Sequence, residues 1–554
     1  MKSIRLILVV FLLFFSAFFL FSSPYDMIPV GDPILEDLIY LSLESGNPIL
    51  SFTPPFPPHE IENFLESLDI SALSVPAQEA YYRIKRRLNP EAPVSLSSGI
   101  FLFTLNLSST IEIRTRFNTD ISWYPQYPKI PSLLSLPLRF YFTDYVQLYF
   151  EPIIAIDPEY YGFGNSGSFG LNIPTGLHKL DQNLPLRAYL AAGASWWNFQ
   201  IGRDRLSYGT GQMGNLTVSD NPSFYEFARL SFFSKFFKYS LLVSQMPLQI
   251  KDKYGELLVG NNINLTDESL MYTTQRYLYM HRLEFSLFNT LSISLTEGVL
   301  VGNSAFELRY LNPLVVFHSL YSWWNYTEWR YGEDTDENRK YGHMTGSLFS
   351  LEVNWNIMKS LAVYGQLVMN QFATFYKKAN YGDQPPNGMG YIAGARFSHS
   401  FDTWASVFSL EFIYTDPYLY MNPSPFASFI HMRYLGASPD RLLYSFIGYP
   451  RDIITVTLGT KFFNADFLAI SGNFTWLAQG KHTIKWDWEQ TGTAYNERTP
   501  SGSAKHSLIA SLGVQWKPYN WLVLSGNITG IFPLGNNSSN KPGGQASVKV
   551  SFLY

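Results

Sequence analysis

From Ser97 to the C-terminus, apolar and polar side chains alternate along the chain with a period of two. For example, Leu351 and Val353 alternate with Ser350 and Glu352. Successive side chains of a β-strand point to opposite faces, so this pattern predicts strands with one apolar and one polar face. Such strands can build either a soluble sandwich or a closed barrel, and the connections between them distinguish the two.

The predicted connections are of two unequal kinds. Short turns are predicted near Asp144, Asn198, Lys235, Asn289, Lys359, Phe401, Ala465 and Tyr519, and long loops near 157–186, 207–225, 249–275, 302–344, 376–388, 416–452, 479–505 and 532–542. A soluble sandwich has short loops at both ends, whereas short periplasmic turns and long outer loops are typical of outer-membrane barrels. We therefore predict an all-β transmembrane barrel of about 18 antiparallel strands over residues 96–554.

The composition agrees with a barrel in contact with outer-membrane lipid. Aromatic residues make up 17% of the chain and charged residues 15%, against about 25% charged residues in an ordinary soluble domain. Beyond the N-terminus, no apolar run approaches the roughly 20 residues that a spanning helix needs. The formal charge of −4 shows no basic excess for nucleic acid, and the absence of cysteine excludes disulfides and thiolate metal sites.

The N-terminal part of the chain has a different character. Residues 1–23 are predicted to be a signal peptide, because Lys2 and Arg5 precede an apolar core; an uncleaved anchor is the alternative. Residues 24–95 predict three short amphipathic helices, which would form a small periplasmic bundle or plug below the barrel. We interpret the basic run Arg83–Arg87 as a solvated helix face rather than a nucleic-acid patch.

The C-terminal strand and the apolar stretch 99–107 bear on barrel assembly. Val548, Phe552 and the terminal Tyr554 share one face of a closing amphipathic strand. This arrangement is similar to the signal that the barrel-insertion machinery recognises, so that machinery is a predicted partner. The stretch 99–107 is either part of a plug or an extension of the first strand.

A Gly-rich segment between Trp196 and Arg229 is the most distinctive loop. Its Gly209, Gly211 and Gly214 fit the letters of the dinucleotide-binding fingerprint, G-x-G-x-x-G. That chemistry needs a helix immediately after the glycines, but turn-forming and extended sequence follows. We therefore predict that these glycines serve a tightly folded loop and that the protein binds no such cofactor.

The same loop supplies the candidate ligand-binding residues. Sugars bind by stacking on aromatic rings while Asp, Asn and Arg side chains hydrogen-bond their hydroxyls. The candidate glycan-binding residues are Arg203, Asp204, Arg205, Asp220, Asn221, Trp323 and Trp324. Tryptophans also form the girdles at membrane interfaces, and that alternative stays open. No metal-binding motif and no nucleophile elbow is present, so we predict no metal and no catalytic residues.

Several short motifs resemble those of the Wzi-like capsule-assembly outer-membrane proteins. They are Gly202-Arg203, Tyr208–Gly211, Asn215–Asn221, Arg309–Leu314, Tyr364–Gln366 and Tyr414–Tyr420. The resemblance implies an eighteen-stranded barrel with a helical periplasmic bundle, which binds and anchors surface polysaccharide through its extracellular loops without catalysis. A porin-like channel for diffusion or uptake of small solutes is the alternative. The family often has an aromatic-Gly-Pro-Gly turn where this chain has Tyr208–Gly211.

Overall fold

The computed structural model describes most of the chain beyond the predicted signal peptide. The described residues are 25–89, 94–98, 101–118, 129–161, 169–247, 250–251, 271–272, 275–302, 306–317, 345–371, 388–421, 428–435, 442–464, 467–482, 484, 497–535 and 541–554. The predicted signal peptide, residues 1–23, lies outside them. One 23-stranded sheet dominates the described part, and neighbouring strands in it are antiparallel.

Twenty-one of the segments in this sheet form a continuous wall of eighteen strands, because three of the strands consist of two segments each. They are β1 (Phe101–Leu105 and Ser108–Phe117), β2 (Leu134–Ser135 and Leu138–Phe142), β3 (Val146–Phe150 and Ile153–Ile154), β4 (Ala188–Ala194), β5 (Trp197–Asp204), β6 (Tyr225–Phe233), β7 (Phe237–Met246), β8 (Arg276–Leu287), β9 (Leu291–Gly302), β10 (Thr345–Met358), β11 (Leu361–Gln371), β12 (Gly388–Phe401), β13 (Trp404–Thr415), β14 (Ile453–Asn464), β15 (Leu468–Gln479), β16 (Lys505–Tyr519), β17 (Leu522–Leu534) and β18 (Gly543–Leu553). The predicted strand number is therefore confirmed.

The pairings return to the strand where they began. Each wall strand pairs with the next, and β18 pairs with Ser108–Phe117 of β1. Below this ladder, Leu107 N donates to Tyr554 O at 2.9 Å and Tyr554 N donates to Leu107 O at 2.7 Å. Both halves of β1 meet β2 in one register. The interpretation of 99–107 as part of a plug is wrong for Phe101–Leu105, which extend the first strand.

The two faces of the wall differ as the alternation predicts. In β13, Phe408, Leu410 and Phe412 are 41%, 48% and 40% exposed, whereas Glu411 between them and Ile413 after them are fully buried. An apolar face that is exposed outside a closed wall suits lipid, and a polar face inside it suits an aqueous or packed interior.

Three helices lie at the short-turn end of the barrel. They are α1 (Ile34–Ser45), α2 (Pro58–Leu65) and α3 (Val75–Leu88), with a 3-10 turn at Ile70–Ala72. The first helix begins where Asp32 Oδ1 accepts a hydrogen bond from Ile34 N at 3.2 Å, and it ends at Gly46 in the left-handed conformation with φ 77°. Ser360 N, in the turn after β10, donates to Leu43 O at 2.7 Å. None of the described helices is long and apolar enough to cross a bilayer.

Further short elements lie outside the 18 wall strands. They are the strands Val94–Ser98, Phe169–Leu171, Ile250–Lys251, Met271–Tyr272, Ile430–Tyr434 and Leu442–Phe446, and the 3-10 helices Thr143–Tyr145, Pro158–Tyr161, Leu177–Lys179 and Leu308–Leu311. Ile430–Tyr434 and Leu442–Phe446 pair with each other outside the wall, and we call the described residues around them, 428–435 and 442–448, the loop hairpin.

Candidate functional site

The loop between β5 and β6, residues 205–224, folds into the barrel interior. Gln212 N donates to Glu411 Oε2 at 2.6 Å, and Thr217 Oγ1 lies 2.7 Å from Ser350 Oγ. Leu216 N donates to Gln366 Oε1. Inward-facing polar side chains of the wall satisfy the loop backbone as water would, a course that the sequence analysis did not predict.

The glycines of this loop have a structural role, as predicted. Gly209 and Gly214 adopt φ values of 119° and 141°, a region that other residues rarely adopt. The Asn215 side chain ties the turn together, since Oδ1 accepts from Gly211 N at 3.0 Å and Nδ2 donates to Gly209 O at 3.2 Å.

Chain segments from both ends fill the space around this loop. Its Leu206, Leu216 and Val218 are buried in an apolar cluster that includes residues of the loop hairpin. From the side of the helices, Phe52 O accepts a hydrogen bond from Gly209 N at 2.9 Å. Arg229 Nη1 of β6 donates to Thr53 O at 2.9 Å. These described segments of the chain therefore plug the lumen.

Buried ion pairs stabilise the barrel interior. Arg282 on β8 lies 2.7 Å from a carboxylate oxygen of Glu352 and 2.8 Å from one of Glu284. Lys238 on β7 lies 2.8 Å from Glu60 of α2. The last pair links the helical segment directly to the wall.

Two cavities lie next to the loop tip. The outer cavity, of about 370 Å³, lies among the long loops and is floored by Met213 and Gly214. The inner cavity, of about 650 Å³, lies between the helical segment and the wall, and Gly211 and Gln212 line it. Four consecutive residues, Gly211–Gly214, therefore contribute to the linings of both cavities.

Three predicted ligand-binding residues line the outer cavity together. These are Arg205, Asp220 and Asn221. Arg205 Nη2 donates to Val30 O at 3.1 Å, Asp220 forms an ion pair with Lys129, and Asn221 Nδ2 donates to Gly448 O at 2.7 Å. Residues that are distant in sequence thus meet at the long-loop end of the barrel.

Arg203 and Asp204 stabilise the surroundings of the outer cavity and do not line it. Asp204 is fully buried, and its Oδ1 accepts from Arg187 Nε at 2.7 Å. Arg203 donates to Glu226 Oε1 at 2.6 Å and its guanidinium lies 4.1 Å from the Phe224 ring centre. Direct ligand contact by Asp204 is incompatible with this burial. Trp323 and Trp324 lie outside the described residues, and their role stays a prediction.

Sequence reasoning missed several charged residues of the cavity. They are Lys129, Glu151, Asp181, Arg187 and Arg433. Arg433 carried a signal, since it is a charged residue in the otherwise apolar run that precedes Leu435. The others lie in polar loops or at strand ends, where no local pattern selects one charged residue over another.

The loop hairpin packs a neutral histidine beside the cavity wall. His431 is 2% exposed, and its ring centre lies 5.7 Å from that of Phe224 and 5.5 Å from that of Tyr225. Burial, reinforced by the positive charges of Arg276 and Arg433, lowers the pKa of His431 to about 3. Among the described residues, no three acidic or histidine side chains cluster as metal ligands.

The antiparallel wall, the unequal ends and the plugged lumen define the fold of an outer-membrane β-barrel. The structure of Wzi, an outer-membrane protein involved in group 1 capsule assembly in Escherichia coli and described as a carbohydrate-binding β-barrel, is similar to it. The TM-score is 0.55 at 16% identity, over 94% of this chain and 98% of Wzi. The predicted resemblance is therefore confirmed at the level of the fold.

Other solved barrels are more distant. Pseudomonas aeruginosa OprD has a TM-score of 0.38 at 10% identity, over 82% of this chain and 95% of OprD. OmpT of Vibrio cholerae has a TM-score of 0.31 at 8% identity, over 83% of this chain and 99% of OmpT. No family model and no curated protein sequence matches this chain.

Proposed function

We propose that this protein is a non-enzymatic outer-membrane β-barrel that binds and anchors surface polysaccharide through its long-loop end. Its helical segment would lie in the periplasm. The observation that supports this proposal most directly is the outer cavity, which is lined by charged and apolar side chains, lies among the long loops and stands above a plugged lumen. A plugged lumen suits retention of a polymer rather than its passage. Wzi, which has this fold, is described as carbohydrate binding.

Weak contacts suffice for such a role. A polymer that is held at many barrels at once gains avidity, because each further binding event is intramolecular and benefits from a raised effective concentration. Weak binding at one small cavity is therefore compatible with firm retention of the polymer at the cell surface.

A glycan-array scan with refolded protein tests the proposal. We expect wild type to bind a subset of surface polysaccharides, and the triple variant R205A/D220A/N221A to lose at least tenfold in affinity. Arg498 is an exposed arginine outside the cavity, so R498A is the matched control. Heat-modifiable migration on gels verifies that each variant is folded. Absence of glycan binding by folded wild type would contradict the proposal.

A solute channel is the second candidate, and one observation favours it. Met213 and Gly214 line the outer cavity while their neighbours Gly211 and Gln212 line the inner one, so the two cavities approach each other at the loop tip. Recordings in planar bilayers distinguish the two functions, because large, steady conductance steps by wild type favour a channel and electrical silence favours an anchoring protein.

A further inference from the structure

The outward face of the wall is covered where strands β8 and β9 approach the long-loop end. On β8, Leu283 is exposed on this face, but Tyr279 and His281, which share the face, are buried. The ladder between β8 and β9 runs without a register shift past these residues, so the strands keep the same face outward. Another segment of the chain therefore covers the wall from the outside.

The covering segment is residues 306–317, which follow β9 and which we call the exterior flap. His281 and its cross-strand partner Glu297 on β9 both contact it. Tyr310 O lies 3.0 Å from His281 Nε2, and Glu297 Oε2 accepts a hydrogen bond from Phe317 N at 3.0 Å. Side chains of both strands thus hold the flap.

Aromatic contacts fix the flap further. The Tyr310 ring centre lies 4.8 Å from that of Tyr279, and the Phe317 ring centre lies 4.2 Å from that of His281. Glu307 N donates to Tyr279 OH at 3.0 Å. The flap is therefore a packed element of the barrel exterior rather than a loop that projects away from it.

The side of the flap that faces away from the wall is apolar. Leu308, Leu314 and Val316 are exposed, Leu314 to 90%. A turn projects Leu314, since Asn312 Oδ1 accepts from Leu314 N at 3.1 Å and Asn312 O accepts from Val315 N at 3.2 Å. Polar side chains on a lipid-facing surface are destabilising, and here the flap covers them and restores an apolar surface.

The height of the flap matches that of the lipid layer. His281 and Tyr277 lie six and ten residues before Leu287, which ends β8 at the short-turn end, and the Phe306 ring of the flap lies 5.8 Å from that of Tyr277. With a rise of about 3.4 Å per residue and a tilt of roughly 40°, the two residues lie about 15 Å and about 26 Å above Leu287. The apolar band of such barrels is about 25 Å tall. The flap therefore lies beside the upper part of this band.

We propose that the exterior flap is embedded in the lipid leaflet at the long-loop end, where Leu308, Leu314 and Val316 contact acyl chains. The flap is continuous with the lipid-facing wall, since Phe349, which is exposed on β10, is the cross-strand partner of Glu297 beneath the flap. Burial of aliphatic side chains in the acyl region stabilises this position. The flap thus fastens the chain after β9 beside the barrel and away from its mouth.

Spin labels on single introduced cysteines test this placement, because the sequence contains no cysteine. L308C, L314C and V316C are refolded into vesicles of dilauroylphosphatidylcholine, and the collision rates of each label with oxygen and with a water-soluble nickel complex are compared. L295C, on the outward face of β9, is the lipid reference, and R498C, in the loop before β16, is the aqueous reference.

We expect the oxygen-to-nickel ratio of L314C to lie within about twofold of L295C and at least about fivefold above R498C, because polar solutes partition poorly into an apolar phase. Val316 lies next to the contact with Glu297, whereas Leu308 lies next to the contact with Tyr279, nearer the long-loop end. We therefore expect a higher ratio for V316C than for L308C.

Three results would overturn the inference. A ratio for L314C equal to that of R498C would place the flap in water, and a lower ratio for V316C than for L308C would contradict its orientation. Dipolar broadening of the L314C label that disappears on dilution with unlabelled protein would identify a second copy of the chain as the occupant. Heat-modifiable migration verifies folding of each labelled protein. The flap positions are not among the residues that line the outer cavity, so such failures leave the proposed glycan binding standing.

Discussion

Arg282 shows how a single residue can stabilise the barrel interior. Its guanidinium is 2% exposed and lies against Glu284 and Glu352, which are equally buried. We expect R282A to lower the free energy of unfolding by about 3–5 kcal/mol, because removing one partner leaves buried charges uncompensated. Guanidinium unfolding of protein refolded in detergent measures the loss.

The matched control neutralises the whole cluster. In R282M/E284Q/E352Q no charge of this cluster is left unpaired. We therefore expect the triple variant to regain most of the free energy of unfolding that R282A loses. An R282A variant as stable as wild type would show that Glu284 and Glu352 find other compensation.

Asp204 and Arg205 are neighbours with different environments. The Asp204 side chain, at the end of β5, is fully buried against Arg187, whereas Arg205, one residue past the strand, lines the outer cavity. The sequence identifies both as charged residues beside a Gly-rich loop. It does not show which one faces the cavity, because the strand ends between them and the fixed alternation of side chains ends with it.

The loop hairpin supplies a pH-dependent prediction. The pKa of His431 is about 3 in the folded protein, below the ordinary value of about 6.5, so the folded state favours the neutral ring. An undocked hairpin takes up a proton below about pH 6.5, and docking therefore weakens as the pH falls from there toward 3. Above pH 6.5 the stability of docking should not depend on this residue.

Hydrogen exchange over the loop hairpin at pH 7.5 and pH 4.5 measures this effect. After correction for intrinsic exchange rates, we expect docking to be weaker at pH 4.5 by on the order of 2–3 kcal/mol. His431 lies among aromatic rings and His431 Nε2 has no hydrogen-bond partner in the described structure, so H431F should stay docked and lose the pH dependence. Equal protection at both pH values in wild type would contradict the prediction.

The contacts of the loop tip, Gly211–Gly214, lead to a second prediction. Glu411 Oε2 accepts from Gln212 N at 2.6 Å, Oε1 accepts from Met213 N at 2.9 Å, and Tyr364 OH donates to Oε2 at 2.7 Å. In E411A the two backbone N–H groups lose their acceptor, so the tip loosens between the two cavities. We expect brief conductance openings in planar bilayers that wild type lacks.

E307A is the control for the loop tip. It removes a carboxylate in the loop after β9 that pairs with Arg309, away from the tip. Silent recordings from both variants would show that the rest of the loop is sufficient to block the lumen.

At the level of single elements, sequence reasoning missed mainly the inward course of the loop between β5 and β6. Alternation identified the wall strands, and short turns such as 359–360 and 402–403 fall within two residues of their predicted positions. A polar, Gly-rich loop carries no comparable signal, since its backbone can be solvated equally by water or by inward-facing residues such as Gln366 and Ser350. Long-range hydrogen bonding decides its course.

At the scale of the molecule, the lumen is filled by two independent segments. Residues 205–224 enter from the long-loop end, while the segment around Phe52 and the helices enters from the other. We expect a large, steady conductance only when residues 206–223 are replaced by a short Gly-Ser linker and residues 25–89 are also removed. Planar-bilayer recordings of the single and double variants test this.

The single variants are the controls, with heat-modifiable migration as the measure of folding. Each should show small or no steady conductance, because the other segment still obstructs the passage. Full conductance from either single variant would show that one segment alone closes the barrel.

The molecule also contains a topological constraint on its own assembly. Tyr25 and Asp26 are buried inside the wall, where Asn198 Nδ2 donates to Tyr25 OH at 2.6 Å and Gln147 Nε2 donates to Asp26 Oδ1 at 2.6 Å. The seam that completes the ring joins β18 to β1, near the opposite terminus. The N-terminal segment is thus enclosed by a wall that closes only when its last strand pairs with its first, so this segment must already be in place when the seam forms or must thread in afterwards.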